Sequence, residues 1–321
     1  MRALRLVRST PEPLLVEEDL PRPEPGAGEV LVQVHAVAVT PTEVHWYGTS
    51  QTRDGGPRVA PVLGHEFSGQ IAECGKHVTD FAVGDEVFGM SNWFSEGALA
   101  EYCVTTPDLI ARKPDALTHA EAATVPISAL TAWQGLFDHG MLQPGQRVLI
   151  HGGAGAVGLF AVQFAHLHGA YVVTTVSANH IDYARSIGAD EALDYRGAPF
   201  EERVRDIDVV FDTVGPEVMR RSRRVLKSGG RCVTVAVESK WASDEDVRRA
   251  FFIFKQNGAE LEQVSNLFEA GQLRAALDRV VPVAAATDAY RGAIAKSRPG
   301  KLVISPLEWS RPDISATKMA P

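Results

Sequence analysis

The sequence predicts an α/β protein in which a doubly wound parallel sheet is inserted after a β-rich, partly open barrel domain. Three observations predict it. A glycine-rich turn, Gly152-Gly153-Ala154-Gly155-Ala156-Val157-Gly158, lies between an apolar run (147–150) and a long helical stretch, with a second strand-like run at 171–176. Strand-like and helix-like segments then alternate to about residue 270, the pattern of a parallel sheet with crossover helices. Residues 1–115 lack that alternation: short Val- and Ile-bearing runs are punctuated by Pro, Gly and Asp.

In the first part, 30–39, 67–73, 86–89 and 101–104 read as strands, with turns at 23–28 and 83–85. Thr118 followed by Glu121 is a capping box, and a helix runs on through 129–137. Next come a strand at 147–151, a helix at 156–168, a strand at 171–176, a helix at 179–187 and a short strand at 191–194. A helix at 199–205, a strand at 208–212, a helix at 216–226, strands at 231–236 and 251–255, and a helix at 259–270 complete the sheet. The expected domains are 1–117, 118–270 for the nucleotide fold, and 271–306 returning to the first domain through strands near 280–283 and 300–305. A loose polar tail at 307–321 follows.

Composition narrows the function classes. The chain has 321 residues, 45% hydrophobic and 22% charged, enough apolar material for two cores. A net charge of -8 and the lack of long basic runs argue against nucleic acid and anionic membranes as partners. Arg220, Arg221, Arg223 and Arg224 read as a solvated helix face, and His119 and His139 as surface residues on helices. Cys74, Cys103 and Cys232 are too few and too scattered for a disulfide framework or a Cys-x-x-Cys metal site. The basic N-terminus runs into a charged, Pro-rich stretch rather than a signal peptide, and no apolar run is long enough for a membrane span. The expectation is a cytoplasmic protein.

The glycine turn carries chemistry. In Gly-x-Gly-x-x-Gly, Gly153 allows the tight turn, Gly155 lets a pyrophosphate approach the backbone, and Gly158 lets helix and strand pack closely. The helix opening at Ala156 and Val157 offers N–H groups to the phosphates. The second strand ends Thr175-Val176-Ser177-Ala178-Asn179-His180, with no acid before Asp182. An acid at that strand end would accept from the ribose hydroxyls and repel a 2′-phosphate. Ser177, Asn179 and His180 donate to a 2′-phosphate instead, with Arg185 further along the helix, so the expected cofactor is NADP(H).

The order of elements is carried by Gly64-His65-Glu66, Val83-Gly84-Asp85-Glu86-Val87, Leu130-Thr131-Ala132-Trp133, Pro144-Gly145-Gln146-Arg147-Val148-Leu149-Ile150, Ser186-Ile187-Gly188-Ala189-Asp190, Asp212-Thr213-Val214-Gly215 and Gly300-Lys301. It resembles the medium-chain dehydrogenase/reductase superfamily, and within it the zinc-free quinone oxidoreductase branch. The resemblance implies a GroES-like first domain and a Rossmann-type second one. Zinc members of the superfamily hold catalytic zinc with a Cys, a His and a second Cys; the matching positions here are Thr40, His65 and Ile127. One imidazole does not make a three-ligand zinc site. The span between Val87 and Tyr102, where a structural zinc lobe would lie, contains no cysteine. No metal is expected, and His65 reads either as a core histidine or as a group near the substrate.

The resemblance also implies site residues. Thr131 would contact the nicotinamide, and Val214 and Gly215 the adenosine side. Independently of the resemblance, Val235, Ala236, Phe252 and Phe254 end later strands, so their backbone is expected to meet the carboxamide, because ligands in such sheets bind beyond the carboxyl ends of the strands. Tyr195 would lie by the 2′-phosphate ribose, and Lys301 is a candidate phosphate contact. Without a metal to polarise an alcohol, the reaction that fits is hydride transfer to a quinone or to the β-carbon of an enone. Trp46, Tyr47, Trp93, Phe94 and Phe252 are the expected walls for such a flat acceptor, with Thr40 and Tyr47 as hydroxyl donors. Thr40-Pro41 stands where the family usually has Asn-Pro, so no role of that Asn is carried over. Two other readings stand beside this one: an enoyl reductase of a specialised biosynthetic pathway, and an NADPH-binding sensor or scaffold without turnover. The expected partners are a small conjugated carbonyl or quinone and, through an edge strand at 251–255, a second copy of the chain.

Overall fold

The structure is a computed structural model that describes residues 1–8 and 14–310. It divides into two compact units: Met1–Pro126 with Asn257–Ser265 and the chain from Leu277 onward, and Ile127–Gln256 with Asn266–Ala276.

The first unit is built on the strand Val30–Ala38, whose residues are nearly all buried. It pairs antiparallel with Glu66–Cys74, which pairs with Glu86–Met90, and that strand with Ile110–Arg112. On its other side lie Tyr102–Thr105 and Lys301–Ile304, and Leu277–Val281 runs parallel to the last. The C-terminal return therefore completes the sheet that the N-terminal segment starts. Its core joins Val32, Val34, Phe67 and Ile71 to Leu302 and Ile304.

Three features here differ from expectation. An N-terminal hairpin, Arg2–Val7 paired with Leu14–Asp19, buries Ala3, Leu4 and Leu6 where charge and proline had hidden the strand pattern. The capping box forms: Thr118 accepts from the Glu121 N–H, and the Glu121 carboxylate accepts from the Thr118 N–H at 3.0 Å. Its helix, His119–Ala123, packs small side chains on Ala36, Ala38 and Val303, so the first unit runs on to Pro126 rather than ending at 117. Finally, Pro306–Ser310 is a 3-10 turn whose Trp309 indole N–H donates to Glu17 at 3.2 Å, so the tail is fixed at its start. The rest of the expected tail, 311–321, lies outside the described residues.

The second unit is a five-stranded parallel sheet in the order Glu191–Asp194, Tyr171–Val176, Arg147–His151, Ile207–Asp212, Leu226–Thr234. The chain reverses direction across the sheet between the third and fourth strands of that order, the switch point at which doubly wound sheets bind ligands. Leu149, Val173, Val210 and Met219 are among its buried core.

The expected edge strand at 251–255 does not form. Thr234 and Phe251 make a single parallel bridge, after which the Gln134 side chain takes over: its Oε1 accepts from the Lys255 N–H at 2.8 Å and its Nε2 donates to the Lys255 carbonyl at 2.9 Å. A buried amide replaces a neighbouring strand, and the dimer expectation loses the strand it rested on. The strand expected at 231–236 is the longer Leu226–Thr234, and the helices expected at 199–205 and 216–226 shorten to Phe200–Arg203 and Pro216–Ser222. Among the described residues no helix is long and apolar enough to cross a membrane.

Candidate functional site

In the second unit the strand Arg147–His151 runs into Gly152, whose φ of +82° is the left-handed turn position. The tight turn thus belongs to Gly152 rather than to Gly153. Gly153 is glycine for another reason: a Cβ there would stand 2.1 Å from the Thr174 hydroxyl oxygen. A Cβ on Gly158 would stand 2.1 Å from the Gly152 carbonyl oxygen, so that glycine lets the helix close against the turn. Gly155 is the N-cap of the helix Ala156–Leu167 and has no side chain to cap it, leaving the first-turn N–H groups to an external acceptor. A Cβ at Gly155 would meet only the Gly152 carbonyl, at 3.1 Å, with open space beyond. The cradle fits a diphosphate.

A cavity of about 530 Å³ opens beside this turn. Gly152, Ala154 and Gly155 line it, as do Ser177, His180, Tyr195 and Val214 from the following strand ends. Ser177 donates to Asn179 Oδ1 at 2.7 Å and lies 3.0 Å from His180 Nδ1. Tyr195 is 57% exposed, with the Arg196 guanidinium over its ring. The loop Val214-Gly215 is shaped by Asp212, a buried carboxylate that accepts from both N–H groups and from the Thr234 hydroxyl. Burial raises the Asp212 pKa above the usual carboxylate range.

Among the cavity's lining residues that were not expected there, His151 and Arg221 carry the most chemistry. His151 is buried, with Nδ1 3.0 Å from the Thr175 hydroxyl and Nε2 2.8 Å from the Ser222 hydroxyl. Burial, reinforced by the Arg221 charge, pulls its pKa down to about 3, so it is a neutral wall at physiological pH. Arg221 does not stand free on a solvated face: it lines the cavity, pairs with Glu201 and lies over the Phe200 ring. The signal was present in the spacing, because Val218 and Arg221 are three residues apart on the helix Pro216–Ser222 and share one face.

Other expected contacts of this unit sit as follows. Thr131 is buried, its hydroxyl donating to the Ile127 carbonyl at 2.5 Å within its own helix. The Val235 N–H donates to the Asp212 carbonyl, and the Ala236 N–H donates to the Thr234 hydroxyl oxygen. Phe252 and Phe254 are buried, and Phe252 stacks at 4.2 Å on His139, which is exposed at the end of its helix as expected. Arg185 pairs loosely with Asp182 and does not line the cavity.

In the first unit, a 3-10 turn (Pro41–His45) follows the long strand and carries the buried carboxylate Glu43. Glu43 Oε1 accepts from the Gly64 N–H at 2.7 Å and meets His65 Nδ1 at 2.5 Å, while Oε2 accepts from the Tyr290 hydroxyl at 3.2 Å. Burial and the Glu43 charge push the Tyr290 phenol pKa well up. A carboxylate only accepts, so Nδ1 carries the proton and Nε2 is left as the accepting nitrogen. Nε2 is buried with no hydrogen-bond partner among the described residues. Beside it, Glu66 accepts from Thr40 at 3.0 Å and pairs with the Lys301 ammonium.

Three expectations change here. The Thr40 hydroxyl proton is already committed to Glu66. Lys301, expected on a cofactor phosphate, is buried against the same carboxylate. His119, expected at the surface, is half-buried with Nδ1 2.7 Å from the Ser68 hydroxyl and its ring 4.2 Å from that of His35. Burial lowers its pKa to about 4.

Around His65 stand the expected aromatic residues. Trp46 and Trp93 meet edge to face at 5.2 Å, and each flanks the imidazole, at 6.4 and 5.8 Å. Tyr47 meets Phe94 edge to face at 6.0 Å and is 54% exposed. Four of the five proposed walls are therefore brought together; the fifth, Phe252, belongs to the other unit. Among the described residues no group of three His, Cys, Asp or Glu side chains is arranged to hold a metal ion.

The parallel sheet with its glycine turn, and the antiparallel unit that both chain ends build, define a two-domain protein of the nucleotide-dependent oxidoreductase type. Residues 26–115 match the alcohol dehydrogenase GroES-like domain, and residues 187–304 match the zinc-binding dehydrogenase family. The chain is 30% identical to the zebrafish (Danio rerio) NAD(P)H oxidoreductase RTN4IP1, mitochondrial, over 87% of this chain and 84% of that protein. It is 30% identical to 2-methylene-furan-3-one reductase of Solanum lycopersicum, over 92% of this chain and 76% of that one. Its fold matches the quinone oxidoreductase of Coxiella burnetii with a TM-score of 0.83 at 28% identity, covering 95% and 98% of the two chains. The chain belongs to the medium-chain dehydrogenase/reductase superfamily, in its quinone oxidoreductase-like branch.

Proposed function

We propose that the protein is a zinc-independent, NADPH-dependent reductase of quinones or α,β-unsaturated carbonyl compounds. The observation that carries this reading is the aromatic cluster around His65 in the first unit, where the family's first zinc-ligand position is Thr40, bonded to Glu66; in sequence, the second cysteine position is the aliphatic Ile127. A flat conjugated acceptor suits such faces. The names of the tomato reductase and the bacterial quinone oxidoreductase support the same substrate class.

When bound, NADPH supplies the hydride, and the protein's contribution is binding, orientation and stabilisation of the charge that develops on the acceptor. The Gly152–Gly155 turn and the open N-terminus of the helix at Ala156 would hold the diphosphate, and Ser177, His180 and Tyr195 the adenosine end. Trp46, Trp93 and Phe94 would orient the acceptor plane. With Thr40 committed, Tyr47 is the remaining hydroxyl donor for the developing enolate or hydroquinone oxygen. A conjugated acceptor spreads its negative charge over the π-system, so hydrogen bonds suffice where a saturated ketone would call for a Lewis acid.

The test compares NADPH oxidation with 9,10-phenanthrenequinone and with a simple enone against NADP⁺ reduction with primary and secondary alcohols. The reading expects turnover with at least one conjugated acceptor and none above blank with alcohols. Tight NADPH binding with no turnover on any acceptor would support the sensor or scaffold reading instead.

A further inference from the structure

Arg221 sits on the last turn of the helix Pro216–Ser222, which begins directly after the Val214-Gly215 loop. Its Nε and Nη2 donate to the two oxygens of Glu201 at 2.8 and 2.6 Å, a bidentate pair, and its guanidinium lies over the Phe200 ring at 4.9 Å. The pair lowers the Glu201 pKa below the usual carboxylate range. Both contacts lock the plane of the guanidinium. They use only part of its five N–H donors, and Nη1 makes no hydrogen bond among the described residues. The residues lining the cavity include this guanidinium, the Ser177 hydroxyl and the His180 ring, and no carboxylate. The cavity therefore meets a guanidinium whose charge is paired with Glu201 on one edge and whose other N–H edge is unused, beside the His180 ring. The glycine turn already offers N–H groups to a diphosphate, so the guanidinium is available to a second anion.

We propose that Arg221, oriented by Glu201, recognises the 2′-phosphate of the bound dinucleotide and sets its preference for the phosphorylated cofactor. The inference rests on the NADPH reading above and assigns it to a residue of the chain. Glu201 acts through Arg221 as a positioning residue: it aims the fork, and the remaining N–H edge binds phosphate oxygens. A mobile lysine at the same place would offer charge without the fork.

The experiment is calorimetric titration of wild type, Arg221→Gln and Arg221→Lys with 2′,5′-ADP and with 5′-AMP, alongside unfolding midpoints. Wild type should bind 2′,5′-ADP more tightly than 5′-AMP. Arg221→Gln should weaken 2′,5′-ADP by about tenfold or more, the loss of a charge-assisted contact, and leave 5′-AMP almost unchanged. Arg221→Lys should fall between, with 5′-AMP again unchanged; should the Gln variant not fold, the Lys variant alone decides. Equal weakening of both nucleotides would overturn the proposal and make Arg221 an adenine or scaffold contact, while leaving the NADPH reading intact. Wild type that binds 5′-AMP as tightly as 2′,5′-ADP would overturn the NADPH reading itself, and the proposal with it.

Discussion

At the scale of single residues, the buried polar groups decide which side chains are available for chemistry. Glu43 and Glu66 take up His65 Nδ1, Tyr290, Thr40 and Lys301, leaving His65 Nε2 and the Tyr47 hydroxyl as the groups of that cluster without such ties. The carboxylates were invisible in the sequence for a physical reason: Tyr290 and Lys301 meet them across 247 and 235 residues, and no local pattern encodes such contacts. Arg221, by contrast, was legible at helical spacing and was set aside because a run of arginines is most often a solvated face. His151 adds a prediction about pH. An unfolded imidazole titrates near 6.5 and the buried one near 3. Between those values the unfolded chain takes up a proton that the folded chain refuses, so stability falls as pH drops from about 6.5 towards 3. His119, held near 4, acts in the same direction. His151→Asn, which keeps a donor and an acceptor, should therefore flatten the dependence of the unfolding midpoint on pH between 6.5 and 4 relative to wild type. An unchanged slope would mean that His151 takes no part in the acid sensitivity.

At the scale of elements, local signals performed where the element is local. The capping box at Thr118, the glycine turn and the parallel strands from Arg147 to Asp212 are each specified by neighbours within a few residues, and each formed. The segment at 251–255 failed as a strand because its backbone partners are supplied by a side chain far away in sequence. That substitution is testable. Gln134 is buried and bonds both the N–H and the carbonyl of Lys255. Gln134→Ala should leave those groups unsatisfied and cost about 1–3 kcal/mol, read by urea unfolding, with faster amide exchange at Lys255. A loss below about 0.5 kcal/mol with unchanged exchange would show that the amide does not hold the segment.

At the scale of the whole molecule, the alternation of strand and helix was enough to place the parallel unit. The interruption of the first unit by the second was legible from the strand-like runs at both ends of the chain. The N-terminal hairpin escaped because its charged, Pro-rich sequence masks a short alternation of buried Leu4 and Leu6. What the fold leaves open is the reaction, since one scaffold serves many substrates and the chemistry lies in a few side chains. The central claim is that hydride passes directly from the nicotinamide to a conjugated carbon without help from a metal ion. The most direct measurement uses chelator-dialysed protein, NADPH deuterated at C4 and a simple enone, with the product analysed by NMR. The account predicts deuterium on the β-carbon, a solvent-derived proton on the α-carbon, and a rate unaffected by the chelator. Loss of the reaction on chelation and its return with added zinc, or a product carrying no label, would contradict it.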